Sequence, residues 1–149
     1  MTIENPGRHN LTSQEKEKLL NRAAVYLKRY PEILFAFAHG SFIEGGPFRD
    51  LDIAVFLRSE FLSRINFRYE MRLEARIEKG LDVSLTVDVR ILNTAPLSFR
   101  YHALRGRLLL DREPDERIAF ATQTAARYLD IAPILKHHTK EAFSVEAGS

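Results

Sequence analysis

The chain reads as one α+β domain in which strands and helices alternate. Short apolar runs of strand length recur at Ile33–His39, Leu51–Leu57, Leu81–Leu92 and Arg107–Asp111, punctuated by Gly, Pro and Asn. Between them lie segments with apolar residues three and four apart, the period of a helix with one buried face. A length of 149 residues suits a single domain with a real core. The expectation is one domain over 1–149, with its core at about 11–135 and flexible ends at 1–10 and 142–149.

Taken in order, Leu11–Tyr30 predicts a helix. Thr12 and Glu15 have capping-box spacing, Leu19, Ala23 and Leu27 form its apolar face, and Tyr30-Pro31 ends it. The strand Ile33–His39 follows, then a loop over Gly40–Arg49 and a second strand at Leu51–Leu57. Ser59–Lys79 predicts another helix, with Leu62, Ile65, Tyr69, Leu73 and Ile77 on one side and Gly80 as its C-terminal cap. Leu81–Leu92 alternates apolar and polar residues, so it reads as the longest strand. Asn93–Pro96 is a turn, with Pro96 opening a short helix that ends near Gly106. After the strand Arg107–Asp111, Pro114 opens a last helix. Ile118, Ala121, Ala125 and Leu129 are expected on its inner face, and Pro133 is expected to bend or end it.

Composition excludes several classes. With no cysteine, there is no disulfide framework and no thiolate chemistry. No apolar run is long enough to span a bilayer, and Met1–Asn10 lacks the apolar centre of a signal peptide, so a cytoplasmic protein is expected. A net charge of +2 gives no reason to expect direct nucleic-acid binding.

The chemistry-bearing stretch is Ala36–Leu57, AFAHGSFIEGGPFRDLDIAVFL. Asp50 and Asp52 stand two apart at a strand start, so their side chains share a face. At ~4 Å and an effective dielectric of about 20 their repulsion is about 4 kcal/mol. A hard divalent cation such as Mg²⁺ removes that cost. A two-metal site needs a third carboxylate, and Asp82 and Asp88 both lie on the polar face of the expected long strand. They are about 20 Å apart at strand rise, so only one belongs to the site. Gly40-Ser41 suits a triphosphate cradle of backbone N–H groups and a hydroxyl. His39, Arg49 and Arg90 are further phosphate candidates, with Arg90 preferred because it shares a face with Asp88. The adjacent His137 and His138 would face different ways on a helix and make a poor chelating pair. Arg100, Arg105, Arg107 and Arg112 read as a solvated basic face.

Gly40-Ser41 followed by Asp50-x-Asp52 resembles the signature of the DNA polymerase beta-like nucleotidyltransferase superfamily. More narrowly, it resembles the minimal nucleotidyltransferases, including the MntA-like antitoxins. The segment VDVRILNTAPLSFRYHALRGRLLLDRE, Val87–Glu113, resembles that family's third-aspartate strand, Asn-x-Ala-Pro turn, short helix and Gly-x-Leu-Leu strand. The resemblance implies a mixed sheet of four to five strands flanked by helices. It selects Asp88 as the third carboxylate. It further implies Asp50, Asp52 and Asp88 as catalytic residues and ligands of two Mg²⁺ ions, with Gly40, Ser41 and Arg90 holding ATP. The implied activity is AMP transfer from ATP to a hydroxyl, with a tyrosine of a HEPN-type ribonuclease toxin as the leading acceptor. The alternatives are a small-molecule acceptor such as an aminoglycoside, with a homodimer left open, or a non-catalytic antitoxin that acts by contact. Three departures from the family fall in the loop, which is about two residues shorter than the family's on the way to Asp50. Glu44-Gly45 stands where Arg-Gly is usual, and Arg49 stands where Ser or Thr is common.

Overall fold

Thr12 starts the first helix as expected. In the computed structural model its side chain accepts from the Glu15 N–H at 3.1 Å, while Glu15 accepts from the Thr12 N–H at 2.9 Å. The structure describes residues 10–146, with side chains described as far as residue 131. The expectations for 1–9 and 147–149, and for the His137 and His138 side chains, lie outside these described residues. Helix α1 is Ser13–Leu27, followed by the strand β1, Ile33–His39. A single helical turn α2, Ser41–Glu44, opens the segment expected to be loop. Strand β2 is Asp50–Leu57. The helix expected over Ser59–Lys79 divides into α3, Ser59–Leu62, and α4, Arg68–Leu81. Asn66 explains the break, because its side-chain oxygen takes the Arg68 N–H at 2.9 Å and restarts the chain in a new direction.

The expected long strand is shorter than its pattern. Strand β3 is Thr86–Ile91, and Leu81 belongs to α4. Asp82 adopts a left-handed conformation (φ 53°) as the helix cap, and a tight turn follows in which the Leu85 N–H meets the Val83 carbonyl at 2.8 Å. Leu81 and Leu85 are both buried, so the end of a helix and a turn satisfy the same alternation that a strand would. Gly80 therefore does not cap α4. It lies within the helix, where any Cβ would run into the ring of Tyr26 on α1.

Helix α5 is Leu97–Ala103, strand β4 is Arg107–Asp111, and helix α6 is Pro114–Glu146. Pro96 is the residue before α5, with extended ψ, rather than its first helical residue. The Asn93 side chain stands in for a strand residue: it accepts from the Leu57 N–H and donates to the Leu57 carbonyl, both at 2.9 Å. Pro133 does not end α6. The inner face of α6 is the expected one only at its centre: Ala121 and Ala125 are half-buried, but Ile118 and Leu129 are exposed while Thr124 is buried. Phe120 packs on Phe35 and Phe56, and Tyr128 stacks on Tyr101 at 4.1 Å. The aromatic residues carry more burial per position than the alanines that phase the helix in the sequence.

The sheet order is β3-β2-β1-β4, with β2 and β3 parallel and β1 antiparallel to both β2 and β4. This is a mixed four-stranded sheet. One face packs on α1 and α4 through Leu19, Leu27, Leu73, Ile77, Ile53 and Val55. The other packs on α5 and α6 through Phe35, Phe37, Ala54, Leu92 and Ala103. The arginines read as a solvated basic face are partly tethers. Arg112 donates to the carbonyls of Lys28, Tyr30 and Ile33, Arg100 donates to Leu92 and Asn93, and Arg107 pairs with Glu17. Among the described residues, no helix is long and apolar enough to cross a membrane.

Candidate active site

The register of β2 and β3 builds the site. Asp50 pairs with Thr86, and Asp52 pairs with Asp88. Parallel neighbours in register point to the same face at a strand spacing of about 4.8 Å. Asp50 lies two residues before Asp52 on that face, so the three carboxylates form one cluster. His39 opposes Asp52 across the antiparallel β1–β2 pair and extends the row to His39, Asp52, Asp88. Arg90 follows Asp88 by two residues, its guanidinium 4.7 Å from the centre of the Phe99 ring. Phe99 also packs edge-on against His39 at 5.2 Å. Helix α5 thus carries the residue that flanks the cluster on its apolar side.

The turn before α2 closes on the carboxylates from the end of β1. Gly40 has φ 77°, a conformation that suits glycine. A Cβ there would run into Asp52 Oδ2, so the backbone of the turn lies directly against that carboxylate. Ser41 and Phe42 open α2, and the first amides of a helical turn have no acceptor inside it.

The segment expected to be a free loop is anchored at both ends. Phe42 and Phe48 are buried and meet edge-on with ring centres 4.7 Å apart. Lys16 of α1 lies over both rings and donates to the Phe42 carbonyl at 3.0 Å. Phe42→Ala is expected to cost about 3–5 kcal/mol of stability, the range for emptying a buried aromatic site. Denaturant unfolding of the two proteins measures this.

Sequence reasoning missed a second support. Glu70, Glu74 and Glu78 of α4 accept from the N–H groups of Ile91, Val89 and Val87 at 3.0, 2.8 and 2.8 Å. Four residues of helix rise about 6 Å, close to two residues of strand, so successive glutamates meet alternate amides. The edge of the sheet is thereby closed, and the backbone is clamped on both sides of Asp88. The signal was the spacing of Glu70, Glu74 and Glu78, which reads equally well as a solvated helix face.

The electrostatics follow from the crowding. Burial, then Asp88 and Asp50, push the Asp52 carboxyl up from 3.8 to about 6. His39 is moved the other way, chiefly by burial, and its Nε2 is buried with no hydrogen-bond partner among the described residues. A donor set of three crowded carboxylates, one of them reluctant to ionise, suits a hard divalent cation. Among the described residues no three His, Asp or Glu side chains stand as a finished metal cage, and mutual repulsion opposes one. A proton competes with a cation for Asp52, so Mg²⁺ affinity is expected to fall as pH drops through about 6. The sign for stability is opposite. A carboxyl raised in the folded state contributes stability below its unfolded value that is lost as pH rises through about 6. Metal-free melting curves and Mg²⁺ titrations from about pH 4 to about pH 7, a range that spans the unfolded and folded values, check both signs.

Asp82 is not part of the cluster; as the exposed cap of α4 it precedes the turn into β3. Arg49 is exposed immediately before Asp50, and Glu44 is exposed at the end of α2.

The family model described as polymerase beta, nucleotidyltransferase matches residues 21–115, which include all four strands and the carboxylate cluster. The chain belongs to this nucleotidyltransferase family. No curated protein matches it. Among solved structures, the complex of tri-AMPylated Shewanella oneidensis HEPN toxin with MNT antitoxin contains a similar chain. That similarity has a TM-score of 0.66 and 17% identity, and covers 86% of this chain and 98% of that one. A toxin–antitoxin complex of MntA and HepT matches at TM-score 0.62 and 16% identity, covering 89% and 99%. A toxin–antitoxin structure with AMP-PNP matches at 0.63 and 19%, also covering 89% and 99%. At these identities the three structures show that this nucleotidyltransferase shares their fold.

Proposed function

We propose that this nucleotidyltransferase moves AMP from ATP to a hydroxyl, and that its acceptor is a tyrosine of a HEPN-type toxin, which it silences as an antitoxin in the cytoplasm. The observation that carries this reading is the pairing of Asp52 with Asp88 beside Asp50, with the Gly40 turn pressed onto Asp52. Support for the acceptor comes from the similar folds in HEPN toxin complexes, one of which holds a tri-AMPylated toxin.

The residues divide the work by position. Asp50, Asp52 and Asp88 would hold two Mg²⁺ ions, which supply charge neutralisation at the reacting phosphate and activation of the attacking oxygen. The Gly40 turn, the Ser41 hydroxyl and the amides at the start of α2 would receive the triphosphate. Arg90 offers a further positive charge on the face of Asp88. Asp88, the most exposed of the three, would accept the proton of the acceptor hydroxyl. The hydroxyl oxygen then bonds to the α-phosphorus, the bond from that phosphorus to the bridging oxygen breaks, and pyrophosphate leaves. The half-buried His39 and the Phe99 ring would keep water from one side of the reacting centre.

Intact-mass spectrometry of a HEPN-type toxin after incubation with this protein, ATP and Mg²⁺ tests the reading. Addition of one or more AMP units is expected, abolished by Asp88→Asn and kept with Asp82→Asn. AMP addition to an aminoglycoside but not to the toxin would replace the acceptor. Toxin inhibition without any mass change would favour silencing by contact.

A further inference from the structure

The side of the sheet away from the carboxylates carries a cationic and aromatic trough between α1 and α4. Its centre is a hollow of about 450 Å³ lined by Tyr26, Arg29, Tyr30, Arg76, Lys79 and Gly80. Three cations and two tyrosines share this hollow, and no carboxylate lines it. Neighbouring hollows of about 350 and 270 Å³ continue it in two directions. One shares Tyr26 and Arg29 and adds Arg22. The other shares Tyr30 and Arg76 and adds Arg72 and Tyr69. Glu32, the acid in that end, accepts the Tyr69 hydroxyl at 2.9 Å.

The near-neutral net charge conceals this segregation. On α4 the acids Glu70, Glu74 and Glu78 are turned to the β3 edge and used there. Arg72, Arg76 and Lys79 face the trough instead. The cations are also pre-positioned. Arg29 lies 4.5 Å from the centre of the Tyr26 ring and Arg76 lies 5.9 Å from that of Tyr30, whose hydroxyl Arg76 meets at 3.4 Å. Gly80 leaves the room in which Tyr26 lies. Among the described residues, none of these five cations forms an ion pair with a carboxylate. Holding like charges together without counter-charges is unfavourable, and a polyanion reverses the sign.

We propose that this trough binds single-stranded nucleic acid. Spaced guanidiniums suit successive phosphates, and the guanidinium planes held over the Tyr26 and Tyr30 rings extend those rings as flat surfaces on which bases stack. An acidic protein segment would use the charges and leave the rings unused. Duplex DNA would present no free base faces to them.

The test is fluorescence anisotropy of the full-length protein with labelled single-stranded RNA and DNA 12-mers, the corresponding duplexes and poly-glutamate, over a salt series. Binding of single strands in preference to duplex and poly-glutamate is expected. Arg29→Gln with Arg76→Gln should weaken it by about 100-fold, roughly tenfold for each charge-assisted hydrogen bond to phosphate that is removed. The slope of log K against log salt should become shallower by about 1.4, or 0.7 for each phosphate no longer neutralised. A circular-dichroism melt matching the parent protein shows that the double variant is folded. If it is not, Lys79→Gln and Arg72→Gln take its place in the same assay. No binding of single strands at low salt would overturn the proposal. Equal binding of poly-glutamate, or single-strand binding insensitive to these substitutions, would overturn it as well.

Discussion

Asp52→Asn is expected to abolish nucleotidyl transfer while raising the melting temperature of the metal-free protein. Asp52 is the centre of the cluster, paired with Asp88 across the strands and pressed by the Gly40 turn. Its carboxyl is held at about 6 by burial and by two neighbouring carboxylates, so the ionised form that it takes at neutral pH costs the folded protein stability. An amide of the same shape removes that penalty, and each kcal/mol relieved raises the melting temperature by about 2–4 °C for a domain of this size. The same change removes the charge of a proposed Mg²⁺ ligand, so Mg²⁺ affinity and transfer are expected to fall together. A general loss of fold would lower both activity and melting temperature, and opposite movements exclude it. A variant that melts higher and still transfers AMP at the parent rate would contradict the assignment of Asp52.

Gly40→Val is expected to have the second largest effect. The position has φ 77°, which a β-branched residue adopts only with strain of about 1–3 kcal/mol. The new side chain also meets Asp52 Oδ2, so relief of the collision displaces either the turn or the carboxylate. Either displacement would separate the proposed nucleotide cradle from the proposed metal ligands. A loss of transfer of at least about 100-fold is expected, since small misplacements of reacting groups carry costs of that size. Calorimetry with ATP should show weakened binding with and without Mg²⁺. Binding and transfer at parent levels would mean that the turn does not hold the nucleotide.

Much of this fold is visible in local patterns. The capping box at Thr12, the all-apolar run of β1 and the Asp-x-Asp start of β2 each depend on a few neighbouring residues. The structure places them where those residues predict. The features that are not legible depend on partners distant in sequence. Leu81 and Leu85 alternate like a strand because both are buried, but Leu81 is buried as the last residue of a helix against α1. Gly80 has the composition of a cap, and only the Tyr26 ring reveals its use as a close-packing site. Ile118 and Leu129 mislead the phasing of α6, whereas Phe120 and Tyr128 find aromatic partners on β1, β2 and α5.

The same distinction holds within the site. Asp50 and Asp52 are near neighbours in sequence, and their spacing alone pairs them. The placement of Asp88 beside Asp52 requires the parallel register of β2 and β3, and strand periodicity alone does not decide between Asp82 and Asp88. His39 enters the row only through its antiparallel register with Asp52. The glutamates of α4 are invisible as supports until their helix is laid along the edge of β3.

Three carboxylates on one sheet face are proposed to direct a nucleotidyl transfer. Parallel reactions with ATP labelled at the α- or the γ-phosphate, each with Mg²⁺ and a HEPN-type toxin, test it most directly. The α label is expected to remain on the toxin and the γ label to leave in pyrophosphate, with α incorporation abolished in Asp88→Asn. Incorporation of the γ label, or α incorporation undiminished in Asp88→Asn, would contradict the account.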